Sequence, residues 1–344
     1  NIYRFPACLR VLDKDTVLGM KFPSTATIPR SKSDHATKSI TSRAGGRIKF
    51  KDTLFALQGC YAGLAGMIFD NGMVAVLGNY NRVTRNVFKN GKRAGNRSKL
   101  RSAIHTEGAA KYNRFDHNEV MHWQRWAIRN TKVNGGTKGN RFDHNYLHDL
   151  LGQWGNTGEA LQVGTGPGAV IFEPGTIIEY NLIDGHNLES EILSLKASSN
   201  IVRGNTFINA PKGSVTTRTS SNNLLMNNTF INIKGLSIYA DNNKVIGNKF
   251  INSNLNIKSG DAIFPELLEN NSKYQGAHPA ARKTLVVGNQ FSDGKIRLGN
   301  KGTGNKEFNR TFPAENTILI SNHGGVVVRV GAVEGTETRT QYSW

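Results

Sequence analysis

Asn200-Ile-Val-Arg-Gly-Asn205-Thr-Phe207, Asn223-Leu-Leu-Met-Asn-Asn228-Thr-Phe230 and Asn243-Lys-Val-Ile-Gly-Asn248-Lys-Phe250 are three copies of one pattern. An asparagine is followed by an apolar residue two on, a second asparagine five on and an apolar residue seven on. Earlier copies run Asn81, Val83, Asn86, Phe88; Asn113, Phe115, Asn118, Val120; and Asn140, Phe142, Asn145, Leu147. A partial copy is Ile178, Asn181, Ile183, and a late one is Val287, Asn289, Phe291. The second asparagine thus falls at 86, 118, 145, 181, 205, 228, 248 and 289, in steps of 32, 27, 36, 24, 23, 20 and 41.

Apolar–x–apolar is a strand period, not a helical one. Steps of 20 to 24 residues suit one coil of a solenoid, and longer steps suit a coil carrying an inserted loop. The step of 41 reads as two coils with one degenerate copy between them. Asparagine suits a corner because it tolerates left-handed backbone, and once per coil it can stack into an amide ladder. The predicted fold is all-β: a single-stranded right-handed parallel β-helix, a β-solenoid. Leucine is too scarce at repeat positions for a leucine-rich horseshoe, and the four-stranded blade of a propeller needs a longer repeat than this one. Residues 1–344 read as one domain, with 1–75 either an irregular N-terminal cap or early coils whose signal has worn away.

Lys plus Arg number 44 against 25 Asp plus Glu, a net charge of +19 that attracts polyanions. The basic residues are spread along the chain; the densest run is Lys89 to Arg101. No stretch approaches 18 uninterrupted apolar residues, so no membrane span is expected. Cys8 and Cys60 leave open whether they pair.

Charged residues on a repeat strand are departures, and departures are where function is sought. In Glu189-Ser-Glu191-Ile-Leu-Ser-Leu-Lys196, two carboxylates at i and i+2 share a strand face. Together they suit a hard cation, although two ordinary surface glutamates have the same spacing. Lys196 and Arg218 sit four residues before Asn200 and Asn222, so neighbouring coils should bring them about one strand spacing, roughly 4.8 Å, apart. Of two such cations lysine yields its proton the more easily, which makes Lys196 a usable general base. Passive binding of a polyanion fits the same spacing. Asn156, one enlarged coil before Glu189, could bring an amide oxygen to the cation or be one more corner asparagine.

These residues carry a family resemblance. From about Gly158 to Asn252, the segments Gly158-Glu-Ala-Leu-Gln-Val-Gly164, Glu189 to Lys196, Asn200 to Phe207, Gly213-Ser-Val-Thr-Thr-Arg218 and Ile238-Tyr-Ala-Asp241 resemble polysaccharide lyase family six, the alginate lyase and chondroitinase B family. The resemblance implies β-elimination at a uronic acid within a polymer, assisted by Ca2+. By position, Asn156, Glu189 and Glu191 would hold calcium, Lys196 would remove the C5 proton, and Arg218 would serve the leaving oxygen. Two departures stand out: Thr219 where the family often has histidine, and Ser237 or Tyr239 where it often has arginine.

Among the remaining candidates, Arg125, Arg129, Tyr239 and His186 are expected to bind substrate, with His186 a fallback base. His117 and His144 recur at one repeat position in Phe-Asp-His-Asn, which assigns them a corner role. The expected protein is a secreted or periplasmic, monomeric lyase of an anionic polysaccharide, alginate first, with no nucleic-acid or membrane partner. The alternatives are a lyase of a sulfated uronate polymer such as dermatan sulfate, and a non-catalytic polyanion-binding β-helix such as an adhesin or phage tail module.

Overall fold

Asparagine amides run from coil to coil, between Asn86 and Asn322, as a continuous ladder. The Asn86 side-chain amide donates to Asn118 Oδ1 at 3.0 Å, and the chain of donors continues through Asn145, Asn181, Asn205, Asn228, Asn248 and Asn289 to Asn322. Each Oδ1 also accepts the backbone N–H of the asparagine on the preceding coil, as Asn228 does from Asn205 at 3.0 Å. The second amide hydrogen goes to a carbonyl of the coil before, as from Asn205 to Ile178 at 2.9 Å. These side chains are buried, so their hydrogen-bonding capacity has to be met inside the protein.

The computed structural model describes residues 49–339 apart from 53, 58, 93–101, 107–108, 132–135, 151–157, 166–168, 170, 262–277 and 300–311, together with the backbone of five short strands before residue 43. Among the described residues the regular structure is almost wholly strand, arranged as a 13-stranded and a 20-stranded sheet of nearly all parallel neighbours, with two further two-stranded pairs. The chain is a parallel β-helix. The larger sheet folds into two faces, because Thr206–Thr216 and Thr229–Ile238 run continuously from one to the other. No helix among the described residues is long and apolar enough to cross a membrane.

Before residue 75, Leu54–Leu57 lies in parallel register against Met73–Val76, as neighbouring coils do. The interval between Asn248 and Asn289 is one coil, not two. Lys244 pairs directly with Leu285, so the extra residues form an insertion within a single turn. The left-handed corner is also one residue earlier than expected. Arg85, His117, His144, Tyr180, Gly204, Asn227, Gly247, Gly288 and Ser321, each just before a ladder asparagine, have φ between +48° and +63°. The ladder asparagine itself supplies hydrogen bonds rather than the turn.

Inward-facing rings and aliphatics stack coil on coil. Phe207, Phe230, Phe250 and Phe291 form one column with centroid separations of 5.4, 4.8 and 4.6 Å. On the outside of the smaller sheet, Arg82, Arg114, Arg141 and Arg203 pair with the fully buried acids Asp116, Asp143 and Glu179. Buried carboxylates persist only when paired, so these arginines staple successive coils. His117 and His144 belong to the same device. Their Nδ1 atoms meet Asp116 and Asp143 at 2.8 and 2.9 Å, and their rings stack at 5.0 Å. Cys60 is exposed, and Cys8 lies outside the described residues.

Asn205→Ala would strand the buried N–H of Asn181 and the carbonyl of Ile178. Each unsatisfied group costs about 1–3 kcal/mol, so this variant should melt several degrees lower. Lys249→Ala, an exposed position on a neighbouring coil, serves as the control and should melt as the parent does. Differential scanning calorimetry makes the comparison.

Candidate active site

One face of the larger sheet carries the charged departures. Its strands Trp126–Asn130, Leu161–Val163 and Glu191–Leu195 lie side by side, followed by the second half of Thr206–Thr216. Leu161 pairs with Leu193, so Glu159 and Glu191, two residues back on each strand, are level with one another. Ser194 pairs with Thr216, so Lys196 and Arg218, two residues on, are level as well. Ser237 follows in the same register, which puts Tyr239 one coil beyond Arg218.

Glu159, Glu189 and Glu191 are all buried, and each offers a carboxylate oxygen within 4.8 Å of the others. Glu159 is fully engaged. Its Oε2 accepts from Trp126 Nε1 at 2.5 Å, and its Oε1 accepts from Lys196 Nζ at 3.0 Å and Gln162 Nε2 at 3.1 Å. Glu189 Oε2 accepts the Gly158 N–H at 2.9 Å. Glu191 Oε2 lies 3.5 Å from Arg218 Nη1 and makes no hydrogen bond. The repulsion expected between Lys196 and Arg218 is therefore offset, since each cation has its own carboxylate.

The count of charges remains uneven: three carboxylates face two cations. Burial, with the neighbouring Glu159 charge adding to it, pushes the Glu189 carboxyl up to about 7. Glu159 goes the other way. Burial alone would raise it, but Lys196 together with its hydrogen bonds holds it below the ordinary carboxylate range. A site of buried oxygens that is one positive charge short, with one oxygen lacking a hydrogen bond, fits a hard divalent cation. Glu189 and Glu191 would hold it, with Glu159 at the third side. Asn156, the expected amide ligand, lies outside the described residues.

His186 reaches the site from below. It is buried, its Nε2 is 2.8 Å from the Gly158 carbonyl, and burial depresses its affinity for a proton. Gly158 is thus held at both polar ends, by His186 and by Glu189, and a Cβ there would come within 2.6 Å of the Leu188 Cβ. Arg129 lies 3.7 Å above the Trp126 ring and donates from Nε to Gln162 Oε1 at 2.7 Å. Arg125 lies 5.8 Å from the same ring. Tyr239 is buried with its ring against His278, centroids 4.9 Å apart.

The structure therefore brings Glu189, Glu191, Lys196 and Arg218 together, with Arg129 and Arg125 one coil before Glu159. His186 is buried against the Gly158 carbonyl rather than exposed on the sheet face. Glu159 is the member of the cluster that sequence reading does not single out, although it stands inside a quoted segment. Its place one enlarged coil before Glu191 was the available signal.

A parallel β-helix with a buried carboxylate cluster beside a lysine on one sheet face places the chain among the polysaccharide-lyase-like solenoids. The chain belongs to the chondroitinase B family, whose sequence model matches residues 31–316, and so to polysaccharide lyase family six. No curated protein matches it. Among solved structures it is similar to Pedsa3628, a family-six polysaccharide lyase from Pseudopedobacter saltans, at 16% identity with TM-score 0.67, over 88% of this chain and 85% of that one. It is similar to the family-six alginate lyase AlyGC at 20% identity and TM-score 0.63, over 87% of this chain but only 45% of AlyGC. A mannuronic-acid-specific family-six lyase from human gut microbiota aligns at 18% identity and TM-score 0.64, over 85% of this chain and 74% of that one.

Two outcomes follow. A raised carboxyl means the folded state holds its proton more tightly than the unfolded one. The corresponding stabilisation is present below the ordinary glutamate range and is lost as pH rises through about 7. In chelator, thermal stability should therefore fall between about pH 5 and 8, and Glu189→Gln should flatten that fall. Gly158→Ala should displace Glu189 and weaken Ca2+ binding at least tenfold by calorimetry, with the β-sheet circular dichroism retained.

Proposed function

We propose that the chain cleaves an acidic uronate polymer, alginate foremost, by β-elimination. The observation that carries this is the Lys196 amine, 3.0 Å from Glu159 at the edge of a three-carboxylate cluster, within a family-six chain. The Lys196 side chain is 12% exposed, on the same sheet face as the cluster.

Lys196, after passing its own proton to solvent, takes the C5 proton of the uronate as the neutral amine. The C5–H electron pair forms the C4–C5 double bond as the C4–O bond breaks. Arg218, level with Lys196 on the next coil and 27% exposed, stabilises the departing oxygen, with water or Tyr239 supplying its proton. An arginine donor would be awkward, because its proton is held too firmly. Arg125 and Arg129 meet carboxylates of the flanking sugars. A calcium ion held by Glu189 and Glu191 would supply neutralisation of the uronate carboxylate, which acidifies the C5 proton. Asn156 would add an amide oxygen by its position in the sequence. Uronate polymers are met outside the cytoplasm, so a secreted or periplasmic location goes with this reading.

AlyGC and the gut enzyme are described as acting on alginate or its mannuronic acid, whereas the matching family is named for chondroitinase B. Alginate and dermatan sulfate are therefore assayed together, by the ultraviolet absorbance of the unsaturated product. Absorbance should grow with alginate, stop on chelation and return with Ca2+. Lys196→Ala should lose at least about 100-fold in turnover, and Glu191→Ala should behave like the chelated protein. Product from dermatan sulfate alone would move the assignment to a sulfated polymer. No product from any uronate polymer would leave a non-catalytic binder.

A further inference from the structure

The connection from the strand Leu182–Asp184 to the strand Glu191–Leu195 closes on a single residue of the coil before, Gly158. The His186 imidazole meets the Gly158 carbonyl oxygen at 2.8 Å, and the Glu189 carboxylate accepts the Gly158 N–H at 2.9 Å. Between them in sequence, Leu188 packs where a Gly158 side chain would stand. The connection is itself pinned on both sides. Asn187 donates its N–H to the Leu150 carbonyl at 3.0 Å, and the Ser190 carbonyl accepts the Ser214 N–H at 2.9 Å.

The chemistry of the His186 contact fixes what the ring can do. A backbone carbonyl only accepts, so Nε2 carries the proton and donates it. Only Nδ1 is left to take a proton, and it is covered, with no hydrogen-bond partner among the described residues. Burial also lowers the proton affinity of the ring. A side chain so placed, in a residue 2% exposed, suits holding a backbone group rather than meeting a sugar.

The group it holds lies between two of the three clustered carboxylates. Glu189 is bonded to the Gly158 N–H, and Glu159 follows the Gly158 carbonyl in the chain and accepts from Lys196 at 3.0 Å. A movement of Gly158 would therefore displace both carboxylates relative to Glu191. Outer partners of this kind fix the aim of the groups that bind a cation, and a loose outer shell spoils the site.

We propose that His186 is a positioning residue: through the Gly158 carbonyl it fixes the glycine between Glu189 and Glu159, and so keeps the carboxylate cluster in the arrangement that a divalent cation fits. This rests on the cation-assisted reading above. His186→Phe keeps a buried ring and removes the donor, whereas His186→Gln offers an amide N–H in place of Nε2. Hydrogen exchange of the Gly158 amide, followed by NMR in chelator, reads the contact without metal. It should speed up at least about tenfold in His186→Phe and return to within about threefold of the parent in His186→Gln, while the Asn205 and Asn228 amides of the ladder keep their rates. Calorimetric Ca2+ titration should show affinity about 10- to 100-fold weaker in His186→Phe and largely restored in His186→Gln. The parent alone gives a further check, because 15N NMR near neutral pH should find the His186 ring proton on Nε2. A proton on Nδ1 instead, an unchanged Gly158 exchange rate in His186→Phe, or a loss of Ca2+ affinity that His186→Gln does not restore, overturns the assignment. Exchange that behaves as expected in a parent that binds no Ca2+ would sustain the positioning contact and remove the cation reading instead.

Discussion

The asparagine amide ladder sets the register on which everything else depends. Each rung fixes one coil against the next through two hydrogen bonds to a single side-chain oxygen, and the rungs run from Asn86 to Asn322. Inside a low-dielectric core these bonds are strong when complete and costly when broken. A one-residue slip would expose the phenylalanine columns and bury the polar face, so the ladder and the core enforce the same alignment. Outer residues far apart in sequence are thereby held one strand spacing apart. Glu159 and Glu191, separated by a whole enlarged coil of chain, become neighbours by this means alone.

The glutamate cluster is the place where the structure goes against the economy of the repeat. Three buried carboxylates cost stability, and Lys196 with Arg218 compensates only two of them. The remainder falls on Glu189, whose proton affinity is raised accordingly. The arginine ladder on the smaller sheet makes an instructive contrast. There Asp116 and Asp143 are as deeply buried, yet their arginine partners hold them below the ordinary carboxylate range. One set of charges is balanced and holds coils together. The other is short of a positive charge, which is what a site for a cation and an anionic sugar requires.

Much of the fold was legible in the sequence, because a solenoid repeats its signal. The strand period, the asparagine amide ladder and the placing of Lys196 level with Arg218 all follow from spacing. What was not legible depended on where backbone and loops go. The left-handed residue precedes the ladder asparagine, and arginine, histidine, tyrosine, glycine, asparagine and serine all serve there, so residue type did not mark it. The long interval between Asn248 and Asn289 hid an insertion inside one coil, since spacing cannot tell a long loop from a missing repeat. Glu159 was passed over because its neighbours Trp126 and Gln162 come from another coil and from its own strand, and only the folded arrangement shows them converging.

Two coils assemble a carboxylate cluster short by one positive charge, which a divalent cation would complete. Calorimetric Ca2+ titration near neutral pH, in buffers of different ionisation enthalpy, tests this directly. The account predicts binding with release of part of a proton, displaced from Glu189, and no such release in Glu189→Gln. An absence of Ca2+ binding, or binding with the same proton release after Glu189 is replaced, would contradict it.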